Sequence, residues 1–269
     1  MPELPEVETI RRSLAPCIGA TIAAVDVWQW QLRKPVDRRA LRSVVGRRID
    51  QLLRRGKYLL VGLSDEQVLL LHFGMSGTLR IAPPEAQREE HDHLQLVLGD
   101  GRRLVLNDPR RFGLVWAGKL EETEELAQLG PDALSDDFTP EYLYRSLRRF
   151  SRAIKNVLLD QRVVAGIGNI YANEALFVAG LRPGRPARRL TRADAARLHA
   201  ALRTTLSEAI AAGGSSIADF HDGNGRPGYF QLCFRVYDRE GEPCITCGRA
   251  IRRVILTGRS SFFCPRCQH

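Results

Sequence analysis

Four cysteines near the C-terminus constrain the fold of this chain more than any other feature of its sequence. They form two Cys-x-x-Cys pairs with sixteen residues between the pairs. The four residues are Cys244, Cys247, Cys264 and Cys267. Pairs at this spacing favour metal binding over a disulfide framework, and two thiolate pairs supply the tetrahedral ligand set of structural zinc. Because residues 251–256 and 261–263 favour strands, the pattern predicts one structural Zn²⁺ that holds a β-hairpin, with Arg259 at its tip. The alternative for Arg259 is an ordinary solvated arginine.

The spacing of apolar residues changes once along the chain. Residues 20–117 alternate apolar and polar positions in short segments, separated by turns such as Gly99-Asp100-Gly101. Many short strands at this spacing predict an antiparallel sandwich or a flattened barrel. After a linker at residues 130–137 the spacing becomes helical. The predicted strands are Thr21–Val27, Arg47–Leu53, Tyr58–Leu63, Val68–His72, Thr78–Ile81, Leu94–Leu98, Arg103–Leu106 and Gly113–Trp116. The predicted helices are residues 5–15, Glu121–Leu129, Pro140–Phe150, Ala153–Gln161, Asn169–Ala179 and Thr191–Ala212.

These patterns predict an α+β multidomain fold in three parts. Residues 1–130 form an antiparallel β-sandwich domain that begins with a helix. Residues 131–228 form a helical domain, and residues 229–269 form the zinc-held β-hairpin. A chain of 269 residues is long enough for this division.

The charge of the chain indicates a polyanionic partner. The net charge is +9, and only four of the 40 basic residues are lysines. Arginine suits phosphate because its planar fork binds two oxygens at once, although a generally arginine-rich proteome would give the same balance. The sequence has no apolar run of about 18 residues and no signal-peptide pattern. We therefore expect an intracellular protein with no membrane partner.

The first six residues, Met1-Pro-Glu-Leu-Pro-Glu6, contain a group that can act as a nucleophile. Methionine is usually removed before a small residue, which leaves Pro2 as a free secondary amine. An α-amino group has a pKa of about 8, so part of it is neutral near neutral pH. A secondary amine condenses with an aldehyde to a cationic iminium, which withdraws electrons strongly. Glu3 and Glu6 are candidate proton carriers. The alternative is an ordinary helix N-terminus, with Pro5 as a favourable first residue.

Two turns between predicted strands carry side chains that can enter a nucleic-acid duplex. Arg110 and Phe112 lie on the turn at residues 107–112, and an arginine beside an exposed aromatic ring can stack where a base has left. Met75 lies in a glycine-flanked turn at residues 72–77 and can project as an apolar wedge. The alternatives are a buried Phe112 and a Met75 that fills the core.

Other polar residues are candidates for proton transfer or phosphate contacts. Lys57 belongs to the few lysines of the chain, and lysine exchanges a proton more readily than arginine. His91 lies in Glu90-His-Asp-His93, where it contacts phosphate or a base, or is simply exposed. Asn169 follows a glycine-containing turn at the start of a helix, where backbone N–H groups bind anions. A plain helix–helix turn fits Asn169 equally well.

A basic cluster on adjoining helical turns has two interpretations. It presents either a solvated face or a surface that binds the nucleic-acid backbone. Its members are Arg148, Arg149, Arg152 and Lys155.

Taken together, these motifs resemble one family, the bacterial formamidopyrimidine-DNA glycosylases (Fpg/MutM family), which are bifunctional repair enzymes for oxidised purines. The matching motifs occur in order over essentially the whole chain. They are Met1–Thr9, Lys57–Leu60, His72–Gly77, His91–His93, Asp108–Gly113, Gly166–Ala172, Gly225–Tyr229 and the four-cysteine finger. Leu4 resembles this branch, since the sister endonuclease VIII branch, which prefers oxidised pyrimidines, typically has glycine there.

The resemblance implies roles for the reactive residues. Pro2 is similar to the nucleophile that attacks the sugar C1′ and forms an iminium, and Glu3 to the acid that opens the sugar. Lys57 is similar to the proton donor of β-elimination. Arg259 is similar to the residue that acts in δ-elimination and holds a phosphate, so that the zinc would position Arg259 without activating water.

The resemblance also implies the DNA contacts. Met75, Arg110 and Phe112 match the residues that fill the gap left by a flipped nucleotide. Three further matches to DNA contacts are His91, Arg152 and Asn169, the last within a helix-two-turn-helix motif. Around Arg152 the similarity is loose. Residues 217–228 resemble the loop that closes over the extruded base.

The expected partner is therefore double-stranded DNA with oxidised purine lesions or abasic sites, bound by a monomer in the bacterial cytoplasm at the nucleoid. Two alternatives remain at this point. A non-enzymatic DNA- or RNA-binding protein shares the charge and the zinc but leaves Pro2, Glu3 and Lys57 unexplained. A glycosylase for oxidised pyrimidines keeps the chemistry and changes the lesion.

Overall fold

The computed structural model of the chain describes residues 2–216 and 221–269, which divide into two compact units. The first unit comprises residues 1–127 and 212–229, and the second comprises residues 128–211 and 230–269. Within the described ranges, no helix has the length and the apolar character that crossing a membrane requires.

The first unit is a sandwich of two antiparallel four-stranded sheets. One sheet has the strand order β1-β6-β7-β5 and the other β2-β3-β4-β8. The strands are β1 (Ile22–Val27), β2 (Ile49–Arg55), β3 (Tyr58–Leu63), β4 (Gln67–His72), β5 (Thr78–Ala82), β6 (Asp92–Leu98), β7 (Arg103–Asn107) and β8 (Leu114–Lys119). Alternate side chains of both sheets point inward and share one core, with Leu69 and Leu104 fully buried.

Helix α1 (Leu4–Ser13) belongs to this same core. Its apolar residues Val7 and Ile10 and the C-cap residue Leu14 recur at helical spacing and are fully buried among the strands. Pro5 occupies the first turn, where its missing N–H costs nothing. Two shorter helices, α2 (Arg38–Arg42) and α3 (Glu124–Ala127), complete the unit together with the 3₁₀ segments Ala15–Cys17 and Leu120–Glu122.

The second unit combines helices with the C-terminal hairpin. The helices are α4 (Pro140–Leu147), α5 (Ile154–Leu158), α6 (Asn169–Val178) and α7 (Arg192–Ala211), with 3₁₀ segments at Ala187–Arg189 and Phe230–Cys233. The hairpin consists of β9 (Arg252–Leu256) and β10 (Arg259–Phe263). A small core below it contains Phe177, Val236 and Phe262 beside the cysteines.

The predicted α+β fold is confirmed, and each of the eight predicted strands of the sandwich is present. The helices are shorter than predicted. The acidic segment forms a 3₁₀ turn and then the four-residue α3, and α5 ends at Leu158 where the pattern continued to Gln161. The pattern did not predict α2, which is five residues long and begins at an Asp37 cap.

The compact units differ from the predicted domains in two segments. Residues 212–229 belong to the sandwich unit because backbone hydrogen bonds attach them there. The Gly223 N–H donates to Ser13 Oγ at 2.8 Å, and the Ile81 N–H donates to the Gly223 carbonyl at 2.7 Å. The hairpin shares a unit with the helices. The division into three domains with boundaries at residues 130 and 228 stays a prediction.

Glu8 on α1 gives the sandwich unit a specific acid sensitivity. Its carboxylate is buried, which alone would raise its pKa, but hydrogen bonds from Arg11 and Arg12 and the charge of Arg54 lower the pKa from 4.5 to about 2. A depressed carboxyl pKa adds stability above the ordinary pKa, and that stability is lost as pH falls through the folded-state pKa.

We therefore expect the free energy of unfolding to fall between about pH 5 and pH 2, by up to about 3 kcal/mol from this one group. The Glu8→Gln variant should lack this part of the pH dependence. Urea denaturation followed by tryptophan fluorescence measures it, since Trp28, Trp30 and Trp116 all lie in this unit. The exposed Glu66→Gln is the matched control and should follow the parent protein. If the free energy of unfolding fell equally with pH in Glu8→Gln and Glu66→Gln, the assignment of this pH dependence to Glu8 would be contradicted.

Candidate active-site residues and zinc centre

The N-terminal residues are fixed by a reciprocal cap at the start of α1. Pro2 is buried, and Glu3 is the residue before the first helical turn with only 2% of its surface exposed. Glu6 accepts the Glu3 N–H through Oε2 at 2.8 Å and the Ser215 N–H through Oε1 at 2.9 Å. Both carboxylate oxygens of Glu6 therefore accept backbone N–H groups, and these bonds hold Pro2 and Glu3 at a defined position.

Lys57 lies in the two-residue turn between β2 and β3, and its side chain is largely buried. The preceding Gly56 has a φ of +57°, a conformation that glycine adopts without strain. His72 on β4 lies close by. Burial and the positive charges of Arg33 and Lys57 lower the pKa of His72 to about 3. His72 Nδ1 accepts the Gly74 N–H at 3.0 Å, so the ring is neutral at physiological pH.

Met75 and Phe112 project from two turns at one end of the sandwich. Their exposed fractions are 41% and 44%, so the alternatives of a core Met75 and a buried Phe112 are wrong. The Arg110 guanidinium stacks over the Phe112 ring at 4.9 Å from its centroid. Two apolar side chains exposed on neighbouring turns form a candidate contact surface.

His91 is exposed on the turn that precedes β6 and has a φ of +68°, which is unusual for a residue other than glycine. Its carbonyl accepts the Asp108 N–H at 3.0 Å, a contact that connects this turn to the turn carrying Arg110. The structure therefore brings together Met75, His91, Arg110 and Phe112, all of which lie in the first unit.

Asn169 is the first residue of α6 in the second unit. Its Oδ1 atom is buried and has no hydrogen-bond partner among the residues that the structure describes. The Asn169 carbonyl accepts from the Asn173 amide at 2.7 Å. Asn169 as a whole is half-buried, and the N–H groups of the first turn of α6 beside it are donors of the kind that suit an anionic ligand.

The basic cluster does not form one surface. Lys155 is completely buried, and its Nζ donates to the Ser260 carbonyl at 2.5 Å and to Ser261 Oγ at 2.7 Å. Both proposed surface interpretations are therefore wrong for Lys155, because its charge is used to hold the hairpin. Arg152 stays half-exposed, forms an ion pair with Asp160 at 2.7 Å and stacks on Phe150. Arg162 and Arg152 hold the pKa of Asp160 well below its usual range.

Arg259 follows directly after the hairpin turn of Thr257 and Gly258 and is exposed. Thr257 and Gly258 both have positive φ, +48° and +74°. Two such residues form the kind of two-residue turn that matches the twist of a β-hairpin. Asn156 on α5 donates to Thr257 Oγ1 at 2.6 Å. The fingertip is therefore held from below by neighbouring side chains of α5, and the sequence pattern did not reveal this support.

The four cysteines converge at the base of the hairpin. All four Sγ atoms lie within 4.8 Å of one another, and the distances Cys244–Cys267 and Cys247–Cys264 are 3.9 and 3.5 Å. Four thiolates at about 2.3 Å from a tetrahedral zinc lie about 3.8 Å apart. The cluster therefore fits one structural zinc with a closed coordination shell, which agrees with the predicted ligand set.

Three family models match the chain in the order of its parts. One described as "Formamidopyrimidine-DNA glycosylase N-terminal domain" matches residues 1–115, and one described as "Formamidopyrimidine-DNA glycosylase H2TH domain" matches residues 129–221. One described as "Zinc finger found in FPG and IleRS" matches residues 241–269.

Whole-length relatives carry the same name. The chain is 48% identical over 271 residues to a formamidopyrimidine-DNA glycosylase of Laribacter hongkongensis and 49% identical to one of Syntrophotalea carbinolica, with complete coverage of both chains in each case. Among solved structures it is similar to the MutM (Fpg) protein of Thermus thermophilus, with 44% identity, a TM-score of 0.90 and coverage of 99% of this chain and 98% of that one.

Two DNA complexes of Lactococcus lactis Fpg are also similar, each at 34% identity. The complex with DNA that contains an abasic site has a TM-score of 0.91 and covers 99% of both chains. The complex with DNA that contains Fapy-dG has a TM-score of 0.90 and covers 99% of this chain and 100% of that one.

The fold and the cysteine cluster thus define a DNA glycosylase with a zinc finger. The chain belongs to the formamidopyrimidine-DNA glycosylase family. The predicted family, the class of enzyme and the single structural zinc are confirmed. The individual roles predicted for the site residues stay predictions.

We expect Cys247→Ser to release the zinc and unfold the hairpin while the sandwich unit stays folded, because the cysteine cluster lies entirely in the second unit. Metal analysis should fall from about one zinc per chain to well below one. The tryptophan-reported denaturation midpoint should stay unchanged, since all three tryptophans lie in the sandwich.

Cys233→Ser is the matched control, because Cys233 is exposed and lies outside the cluster. It should keep its zinc. Full zinc content in Cys247→Ser would refute the assigned ligand set.

Proposed function

We propose that this protein is a bifunctional base-excision repair enzyme that removes oxidised purines, such as 8-oxoguanine and formamidopyrimidines, from duplex DNA and then cleaves the strand. The observation that carries the proposal is the capped N-terminus of α1, which holds Pro2 beside the buried carboxyl group of Glu3. Family membership supports the class of reaction, and the Fapy-dG and abasic-site complexes of the Lactococcus lactis relative support the substrate.

The first step is attack on the damaged nucleotide. The Pro2 nitrogen, freed by removal of Met1, forms a bond to the sugar C1′ as the bond between C1′ and the base breaks, and the proton that this nitrogen loses goes to the departing base. Glu3 donates a proton to the sugar ring oxygen, so that the ring opens and the electron pair of nitrogen forms the iminium. Because Pro2 is a secondary amine, the iminium keeps its positive charge and acidifies the C2′ protons.

Two eliminations then cleave the strand. Loss of a C2′ proton breaks the bond between C3′ and its phosphate, and Lys57 supplies the proton of this β-elimination. The second, δ-elimination, breaks the C5′–phosphate bond, and Arg259 acts in that step and holds a phosphate. Water finally hydrolyses the remaining iminium, which returns the Pro2 amine and releases the sugar fragment as an aldehyde.

The proposal also assigns DNA contacts to residues of both units. Met75, Arg110 and Phe112 fill the gap left by the extruded nucleotide, which requires a wedge because unstacking costs a few kcal/mol. His91, Arg152 and Asn169 contact the DNA backbone, and Arg152 shares its charge with Asp160. The +9 net charge adds affinity that depends on salt and not on sequence.

The predicted base-closing loop, residues 217–228, is described only in its second part. Residues 217–220 lie outside the described residues, and residues 221–228 fold back on the sandwich through Gly223. Action as a monomer in the cytoplasm, at the nucleoid, also stays a prediction. The zinc would be held by the four cysteines and would fix the hairpin that carries Arg259.

An uncleaved N-terminal extension should abolish covalent chemistry, because it converts the Pro2 nitrogen to an amide with no nucleophilic lone pair. Borohydride trapping on a duplex with 8-oxoguanine opposite cytosine should fall by at least about 10³-fold. DNA affinity should change little.

Proteolytic removal of the extension to expose Pro2 is the control and should restore trapping. Equal trapping before and after removal would exclude Pro2 as the nucleophile. The same assay with thymine glycol decides between oxidised purines and oxidised pyrimidines, and we expect faster trapping on 8-oxoguanine.

Arg259→Gln should separate the two eliminations. Because Arg259 is exposed and follows a turn that other residues form, its loss should leave the fold intact. We expect strand cleavage to stop at the β-elimination product, with the δ-product reduced by about tenfold or more. Gel analysis of the 3′ ends measures this ratio. Arg253→Gln, on the other hairpin strand, is the control. An unchanged product ratio in Arg259→Gln would remove Arg259 from the second elimination.

A further inference from the structure

Asp108 is a buried carboxyl group that none of the assigned steps uses. It lies just after β7, immediately before the turn that carries Arg110 and Phe112, and it has no exposed surface. Acidic residues are rarely buried completely unless several partners compensate for the lost water. The partners of Asp108 therefore show what the fold uses it for.

The carboxyl group joins two turns. Its Oδ1 accepts the hydroxyl hydrogen of Ser76 at 3.0 Å, and its Oδ2 accepts the Gly113 N–H at 2.7 Å. Ser76 follows Met75, and Gly113 follows Phe112. Ser76 Oγ in turn accepts the Arg110 N–H at 3.3 Å. One side chain thus fixes the residues adjacent to both exposed apolar side chains.

The backbone of Asp108 adds a third turn. Its N–H donates to the His91 carbonyl at 3.0 Å, and its carbonyl lies 2.8 Å from His93 Nε2. The turn before β6 is therefore attached to the same residue. Asp108 contacts all the turns that present Met75, His91, Arg110 and Phe112.

The two gap-filling turns are also packed too closely for independent movement. A Cβ atom on Gly74 would lie 2.4 Å from the Phe112 carbonyl carbon, and one on Gly113 would lie 3.0 Å from Asp108 Oδ2. Gly74 has a φ of +59° as well. The backbones of the two turns are therefore in direct contact, and the carboxyl group of Asp108 accepts a hydrogen bond from each turn beside this contact.

We propose that Asp108 is the positioning residue for gap filling: it holds the turns of Met75 and of Arg110–Phe112 in one arrangement before DNA arrives. The proposal rests on the proposed function. Pre-formed turns lose little conformational freedom on binding, so the wedge enters the duplex at a low entropic cost. Asp108 itself touches neither base nor sugar in this scheme and acts through its neighbours.

The test uses the full-length zinc-loaded protein and three 25-mer DNAs. They are a duplex with a tetrahydrofuran abasic analogue opposite 2-aminopurine, the undamaged duplex, and a single strand with an abasic site, which has no gap to fill. For Asp108→Ala we expect the Kd of the abasic-analogue duplex to rise by about tenfold, with an unchanged Kd for undamaged DNA. The 2-aminopurine fluorescence should report a less filled gap, and borohydride trapping on the single strand should keep its rate.

Graded variants separate positioning from stability. Asp108→Asn should recover most of the affinity, because its oxygen can accept from Gly113 while its amide donates to Ser76 Oγ. Ser76→Ala removes one arm only and should raise the Kd by about threefold. Asp26→Ala is the control, since Asp26 accepts one hydrogen bond, from Gln95, within the sheets. Because Asp26 is exposed, the variant should change Tm little and leave damage selectivity unchanged.

Two results would overturn the proposal. In one, Asp108→Ala keeps the damage selectivity of the parent protein; in the other, its Kd rises equally for damaged and undamaged duplexes. If Asp108→Ala does not fold, Ser76→Ala decides: an unchanged Kd at an unchanged Tm overturns the proposal. Failure of the parent protein to trap any abasic strand would instead reject the proposed function, so the two failures are distinguishable.

Discussion

The burial of helix α1 between two sheets is the constraint on which the position of the first residues of the chain depends. Val7, Ile10 and Leu14 have no exposed surface, so the helix cannot shift without opening the core. Glu6 transmits this rigidity to the start of the chain, because its carboxylate holds the N–H of Glu3 and the N–H of Ser215. A nucleophile at a chain terminus would ordinarily be poorly ordered. Here the terminus is an extension of the core, which is what a covalent step with defined geometry requires.

The same arrangement, exposed functional groups on a firmly held backbone, recurs in the second unit. Arg259 projects from a two-residue turn that would be mobile in an isolated hairpin. Lys155 donates to the carbonyl of Ser260, the residue after Arg259, and Asn156 donates to Thr257. The cysteine cluster fixes the opposite end of the hairpin. A buried lysine is costly unless its hydrogen bonds are complete. Lys155 makes hydrogen bonds to the Ser260 carbonyl and to Ser261 Oγ, which hold the strand that begins with Arg259.

Much of the fold could be predicted because its signals are local. Period-two segments and turn residues located all eight sandwich strands, and the cysteine spacing located the hairpin. The burial of Lys155 could not be predicted, since lysine is normally exposed and its partners lie 105 and 106 residues away in sequence. The contacts of Asp108 could not be predicted either. Its two donors, Ser76 and Gly113, lie on turns that meet only in the folded chain. The short helix α2 depends on a single Asp37 cap and has no periodic pattern to reveal it.

The structure also distinguishes two carboxylates that the sequence leaves equivalent. Glu3 and Glu6 are both near Pro2, and both are acidic residues at a helix start. Each oxygen of Glu6 already accepts a backbone N–H, so protonating Glu6 would break one of the bonds that hold the terminus in place. Both oxygens of Glu6 are thus occupied by the backbone, which fits an anchoring role for Glu6. In the proposed reaction the acid is Glu3, whose own N–H Glu6 accepts.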